Sequence, residues 1–210
     1  ELCSLLPATS AMQMQGDPSD PELMEWWRTS PVNGRIEIVL EPARCQAPMT
    51  GVAIIVNSAC RHRAAIESAL TAGYHVVSEK PLTLSRRESQ QVLDRSNELG
   101  LKLFSTNTYL FADYLNVLRR DWLEGKPFSK IELTWADAGA ESRHGQAKQY
   151  DSSLPLVFDV LPHIASIVLA THGGVRPGRS VLTVRAGGSA ATALFVCDDV
   201  VIEADMARNA

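Results

Sequence analysis

Lys80 stands in the tripeptide Glu79-Lys80-Pro81, directly after the apolar stretch Tyr74 to Ser78. A residue that precedes proline is pushed away from helical torsions, so Lys80 is held in an extended or turn conformation. A lysine held there is suited to polarising a carbonyl or alkoxide oxygen. Asp159 and His163 are four residues apart. On a continuous helix that spacing puts both on one face, where a carboxylate and an imidazole converge on one hydroxyl. Histidine is the usual proton acceptor near neutral pH. An ammonium, a carboxylate and an imidazole are together a set for chemistry at a carbon–oxygen bond. Each has a plainer alternative: Lys80 as a surface lysine in a loop, Asp159 as a helix cap beside a packed His163. Pro162 cannot donate to the carbonyl of Phe158, so the helix either starts near it or kinks.

Other polar residues fall at the ends of predicted elements. Asn107 follows a short apolar stretch and is read as a ligand contact or a turn cap, and His62 as a helix-start residue or a ligand. His75 sits inside a strand pattern and is expected to be packed. His144 and His172 lie in polar or glycine-rich segments with no metal-like constellation around them. Cys3, Cys45, Cys60 and Cys197 are widely spaced without a CxxC pair, which predicts reduced thiols rather than a zinc site or a disulfide framework. Trp26, Trp27, Trp122 and Trp135 read as core or interface residues.

The elements that must position these residues are legible from periodicity. Asp20 and Pro21 open a short helix carrying Leu23, Met24, Trp26 and Trp27, and Arg35 to Leu40 reads as a strand. Val52 to Val56 is a continuous apolar run, as expected of a strand buried on both faces of a parallel sheet. A helix follows from His62 to Ala72, with Ala65, Ile66, Ala69 and Leu70 as its stripe and Gly73 as its stop. Tyr74 to Ser78 is a second strand. Ser85 and Glu88 form a capping box for a helix carrying Val92, Leu93 and Leu99, and Leu101 to Ser105 is a third strand. Strand, helix, strand, helix, strand with short joints is two successive βαβ units, hence parallel pairing with right-handed crossovers. Lys80 therefore lies at the carboxyl end of that sheet, where open α/β sheets bind ligands. Downstream, Asp113 to Glu124 is expected to form a helix with Leu115, Leu118 and Trp122 on its apolar side. Phe128 to Trp135 alternates as a strand, an apolar helix ends near Ala170, and Val181–Val184, Thr192–Val196 and Val200–Ala204 form an antiparallel meander. The predicted fold is an incomplete Rossmann-like α/β domain over residues 1–108. An α+β domain with a mainly antiparallel sheet, for substrate binding and oligomerisation, follows over 109–210.

The stretch Ala72-Gly73-Tyr74-His75-Val76-Val77-Ser78-Glu79-Lys80-Pro81 resembles the AGxHVxxEKP corner of the glucose-fructose oxidoreductase and inositol dehydrogenase family, Gfo/Idh/MocA. Asn57-Ser58-Ala59-Cys60-Arg61-His62 stands at the family's TPxxxH-like turn, Asn107 at an Asn that members often carry, and Asp159/His163 at the DxxxH spacing. The resemblance implies an oxidoreductase using NAD or NADP on a hydroxyl or carbonyl of a sugar, polyol or sugar-like metabolite. It implies a cis Lys80-Pro81 bond, with Lys80, Asp159 and His163 catalytic and Asn57, His62, Glu79, Lys80 and Asn107 facing the cofactor. It also implies a homo-oligomer, dimer or tetramer, joined through the open face of the second sheet. Three departures stand out: no GxGxxG occurs in the sequence, Ser166 replaces an Asp, and Tyr109 replaces a basic residue. The alternative reading is a non-catalytic relative that works as a binding or scaffolding protein.

With a net charge of -4 and a pI near 5.7, nothing in the charge balance favours nucleic acid. No uncharged apolar run reaches the roughly 18 residues of a membrane span, and the first residues lack the pattern of a secretory signal. A cytoplasmic location and a small-molecule substrate are the expectation. The start on Glu1 and the close of the chain within a sheet suggest a piece of a longer enzyme.

Overall fold

The first sheet is built from short β-branched stretches separated by helices whose ends are chemically marked. In the computed structural model the described residues are 12–15, 19, 21–29, 36–39, 51–124, 128–137, 142–143, 146–147, 154–173, 177–197 and 200–208. Strand β1 (Met12–Gln15), helix α1 (Pro21–Thr29) and strand β2 (Ile36–Val39) come first, with β1 and β2 pairing in parallel. Then follow β3 (Val52–Ile55), α2 (His62–Thr71), β4 (His75–Ser78), α3 (Arg86–Glu98) and β5 (Leu103–Ser105). These three strands form a parallel sheet in sequential order. Gly73, with φ +89°, ends α2 in a conformation that side-chain-bearing residues rarely adopt, and its N–H bonds the carbonyl of Leu70. The Ser85 hydroxyl accepts from the Glu88 backbone and starts α3, while the Glu88 carboxylate pairs with Arg63 instead of closing the capping box.

Two right-handed crossovers that step the same way across a sheet place both helices on one face. Ile55, Val76 and Leu103 accordingly pack with Ile66, Leu70 and Val92. The other face carries Val52, Ile54 and Phe104, which are 57%, 46% and 43% exposed. The expectation of a strand buried on both faces is thus corrected for β3: its continuous apolar run reflects one covered face and one open one. On α3, Val92 and Ser96 are buried, whereas Leu93 and Leu99 lie at the surface, because only the i, i+4 positions meet the sheet.

The second unit begins with α4 (Asp113–Leu118), which widens into a π-helical turn over Arg119–Leu123. That change from i→i+4 to i→i+5 bonding rotates the apolar positions apart. Leu115 is buried, but Leu118 and Trp122 are exposed, contrary to the single apolar side expected. Strand β6 (Lys130–Asp137) alternates between exposed and half-buried residues along its whole length. The two-residue strands β7 (Ser142–Arg143) and β8 (Gln146–Ala147) pair with each other. Helix α5 (Leu156–His172) precedes β9 (Pro177–Arg185), β10 (Ala190–Cys197) and β11 (Val200–Arg208). The sheet order is β6-β11-β10-β9, antiparallel throughout except that β6 and β11 run parallel. Small residues on β10 and β11 (Ala191, Ala193 and Ala204) let α5 approach closely, and Leu156, Val160 and Ile164 fill that seam. Each large apolar side chain so buried contributes about 1.5–3 kcal/mol. Pro162 lies inside α5, which runs on continuously past it. Among the described residues no helix is long and apolar enough to cross a membrane.

Candidate active site

Lys80 and Asp159 are brought together from two different units of the fold. The chain leaves β4 and turns through a cis Lys80-Pro81 bond, as the family resemblance implies. The Lys80 ammonium donates to Asp159 Oδ1 and, at 3.0 Å, to the Asp159 carbonyl oxygen. Both side chains are largely shielded, 17% and 23% exposed. An ammonium has three N–H donors, so one remains unspent among the described residues. The Glu79 carboxylate accepts from the Lys80 backbone N–H at 3.3 Å, which fixes the loop rather than reaching across the site.

His62 supports this corner from below. It is the first residue of α2 and only 1% exposed, with Nδ1 2.7 Å from the Pro81 carbonyl oxygen and Nε2 2.9 Å from that of Asn57. Its ring is thus engaged on both sides by backbone, and it ties the turn after β3 to the cis-proline turn after β4. The Asn57 side chain is exposed. Asn107 starts a 3-10 turn over Thr108–Phe111 without a side-chain capping bond.

On α5, His163 lies one turn beyond Asp159. Its ring stacks on Trp135 of β6, with centroids 5.1 Å apart and planes 6° from parallel, and meets the Tyr109 ring edge-on at 5.3 Å. Tyr109 also meets Trp135 edge-on. Burial, and next the Lys80 ammonium, push the His163 pKa below the ordinary histidine value; Asp159, Glu79 and Asp137 oppose that shift. The ring is therefore neutral at pH 7 and able to accept a proton. Ser166 is buried and its hydroxyl donates to the His163 carbonyl at 2.8 Å. Burial likewise raises the Tyr109 phenol, with Tyr114 adding to it.

Several contributors lay outside the expected set. The Arg208 guanidinium, at the end of β11, donates to Asp159 Oδ2 at 3.0 Å. Both oxygens of Asp159 are thus engaged by cations. Trp135 and Tyr109 form the wall behind His163. The Thr106 hydroxyl oxygen and His163 Nδ1 are each buried with no hydrogen-bond partner among the described residues. Thr106 is held beside the corner by its backbone N–H, which bonds the Ser78 carbonyl at 2.9 Å. A buried polar atom left unpaired costs about 1–3 kcal/mol, so both atoms suit a bound polar ligand. Only their position next to Lys80 and at the carboxyl edge of the sheet marks them, and spacing in sequence does not.

Residues 36–107 match the family described as an oxidoreductase family with an NAD-binding Rossmann fold. No curated protein matches the sequence significantly. Among solved structures, YvaA of Bacillus subtilis, described as a candidate oxidoreductase, is similar with a TM-score of 0.74 and 17% identity, over 99% of this chain and 59% of that one. The UDP-N-acetylglucosamine 3-dehydrogenase GnnA of Acidithiobacillus ferrooxidans aligns with a TM-score of 0.58 at 21% identity, over 76% of this chain and 51% of its own. GenD2 from gentamicin A biosynthesis, solved in complex with NAD, gives a TM-score of 0.60 at 15% identity, over 74% of this chain and 47% of its own. The chain thus spans between roughly half and three fifths of the length of these relatives, and the likeness at such identities establishes the fold. Residues 36–107, which hold the Glu79-Lys80-Pro81 corner, are thus the part of the chain that is similar to the NAD-binding Rossmann fold of the Gfo/Idh/MocA oxidoreductases.

Proposed function

We propose that this chain supplies the reaction centre of an NAD(P)-dependent oxidoreductase acting on a hydroxyl or carbonyl of a sugar, polyol or sugar-like metabolite. The observation that carries this reading is the convergence of Lys80, Asp159 and His163 at the carboxyl edge of the parallel sheet. Bound NAD or NADP would accept or return the hydride. In the oxidative direction the alcohol oxygen loses its proton to neutral His163 while the unspent Lys80 N–H stabilises the charge developing on that oxygen. Asp159 orients Lys80 rather than taking the proton, since both of its oxygens are already engaged. Thr106 and Asn107 would hold the nicotinamide end, with Glu79 fixing the loop beside it. Asn57 contributes its backbone to the same edge, and His62 keeps the two turns together. The sugar class rests on the family resemblance and on the dehydrogenase activity named for GnnA, a protein of similar fold. With the domain boundary at 108/109, the second unit serves substrate binding and assembly with a further copy, its exposed β9–β10 residues Val181, Val184 and Val196 being apolar.

Titration with NADH and NADPH, read by nicotinamide fluorescence, tests cofactor binding. Turnover of NAD+ or NADP+ against a panel of cyclitols, aldoses and nucleotide-activated sugars tests the reaction. Lys80→Met should lower kcat by about a hundredfold or more, the scale of a lost charge stabiliser, with the fold retained. Near-normal turnover in that variant refutes the assignment of Lys80. A wild-type chain that binds neither nucleotide favours the non-catalytic reading.

A further inference from the structure

We infer that Arg208 is a positioning residue of this site, acting through Asp159 on Lys80 and through Asp137 on the wall behind His163. The inference rests on the oxidoreductase reading and adds a fourth residue, a charged one, to it. Arg208 closes β11, and its place is fixed by backbone before any side-chain contact is made. Its N–H bonds the Ser189 carbonyl at 2.8 Å, and it stands opposite Asp137 in the parallel β6–β11 register. From there the guanidinium donates to Asp159 Oδ2 at 3.0 Å, and its Nε lies 4.0 Å from Asp137 Oδ2. Asp137 Oδ1 in turn accepts from the Trp135 indole N–H at 3.3 Å, and that indole stacks on His163. One guanidinium therefore links the carboxylate that holds the Lys80 ammonium to the carboxylate that holds the ring behind the imidazole.

The geometry has two consequences. A carboxylate gripped at both oxygens cannot rotate, so Asp159 presents Oδ1 to Lys80 in a single orientation; arginine suits this role because it hydrogen-bonds Asp159 with one nitrogen while its delocalised charge stays within ion-pair distance of Asp137. The charge of Asp159 is also shared between two cations, so Lys80 is not fully neutralised by its partner and keeps its pull on a ligand oxygen. Lys80, Arg208, Asp137 and Asp159 sum to zero, with Glu79 the further charge beside them, so a proton arriving on His163 enters a nearly balanced field.

The test uses Arg208→Gln and Arg208→Lys in the whole chain, each first checked by circular dichroism to be fully folded at the assay temperature. Arg208→Gln should lower kcat by about tenfold or more with a smaller change in KM, since it misplaces Lys80 rather than removing it. Arg208→Lys should recover part of that loss, and added guanidinium chloride at millimolar concentration should rescue Arg208→Ala but not Lys80→Met. Independently of turnover, the His163 ring followed by nitrogen NMR on histidine-labelled protein should titrate at higher pH in Arg208→Gln. A positive charge is then missing from the group of Lys80, Asp159, Glu79 and Asp137 that faces it, and Arg208→Lys should restore the wild-type midpoint. A folded Arg208→Gln chain with wild-type kcat and an unmoved His163 midpoint overturns the inference. If the wild-type chain turns over none of the substrates, the oxidoreductase reading fails and the NMR arm still decides the role of Arg208.

Discussion

Replacing Asp159 with asparagine should destabilise the protein measurably, because two cations would lose their shared counter-charge. The Lys80, Asp159 and Arg208 side chains are 17%, 23% and 21% exposed. Removing one partner of a fully buried ion pair costs about 3–5 kcal/mol, while an exposed pair is worth about 0–1 kcal/mol. For a group roughly four-fifths shielded, the loss lies between these limits, at about 2 kcal/mol. The substituted amide would still offer a carbonyl oxygen to one of the two cations, which argues against the upper figure. In a chain of this size about 2 kcal/mol lowers the melting temperature by roughly 4–8 °C. Urea unfolding followed by tryptophan fluorescence is a direct assay, since Trp135 borders the site; coincidence with circular dichroism must first establish two-state behaviour. Lys80→Met and the double variant complete the cycle. The double variant should be less destabilised than the sum of the two singles by about 1 kcal/mol or more, because with Lys80 also gone only Arg208 is left without the Asp159 charge. Strict additivity, or an Asp159→Asn loss below about 0.5 kcal/mol, would show that the contact contributes no coupling and that the reasoning about shielding is wrong.

His62→Leu removes a ring whose N–H, in either neutral tautomer, donates to the carbonyl of Pro81 or of Asn57, so it should cost about 1–3 kcal/mol. His62→Gln should recover part of this, and a urea midpoint for His62→Leu equal to wild type would contradict the tie between the two turns. The depressed pKa of His163 means that, below its ordinary value of about 6.5, the unfolded chain binds a proton the folded chain refuses. The stability associated with His163 is therefore complete above about pH 6.5 and declines as pH falls through that value, levelling off below the folded midpoint. His163→Phe should remove this part of the slope in free energy against pH, and an identical slope in both proteins would refute the shift. The acid limb of turnover should likewise lie below pH 6.5, and Lys80→Met should move the His163 midpoint upward.

What could be read in advance follows from which interactions are local. The two βαβ units were legible because α2 and α3 carry their own signals: Gly73 at one end, Ser85 with its Glu88 N–H at another. Lys80 was legible because AGxH, strand and proline are contiguous. Asp159 and His163 were legible as a pair because one helix turn separates them, and their facing Lys80 was implied only by resemblance. Arg208 left no local trace. Its role depends on the parallel β6–β11 register, which aligns it with Asp137 from 71 positions away (208 − 137), and no short-range pattern encodes such pairing. The exposed faces were misread for a related reason: an apolar run reports that a strand can be buried, while the same-sided crossovers decide which side is.

The position of the site follows from the same division of labour. The cis-proline turn belongs to the parallel sheet and is held by His62, whereas Asp159 and His163 belong to α5, which is held by the second sheet through Leu156, Val160 and Ile164. Neither unit presents both Lys80 and His163. The Lys80–Asp159 contact consequently joins the two units as well as forming the core of the proposed site, with Arg208 anchoring its far side to β11. A substitution that loosens α5 on its sheet, such as Ile164→Ala, should then weaken the alignment of Lys80 with His163 even though it touches neither. Charge-neutral changes on the exposed ends of α3 should leave that alignment intact. Such a contrast separates a site assembled by packing from one that rests on the three side chains alone.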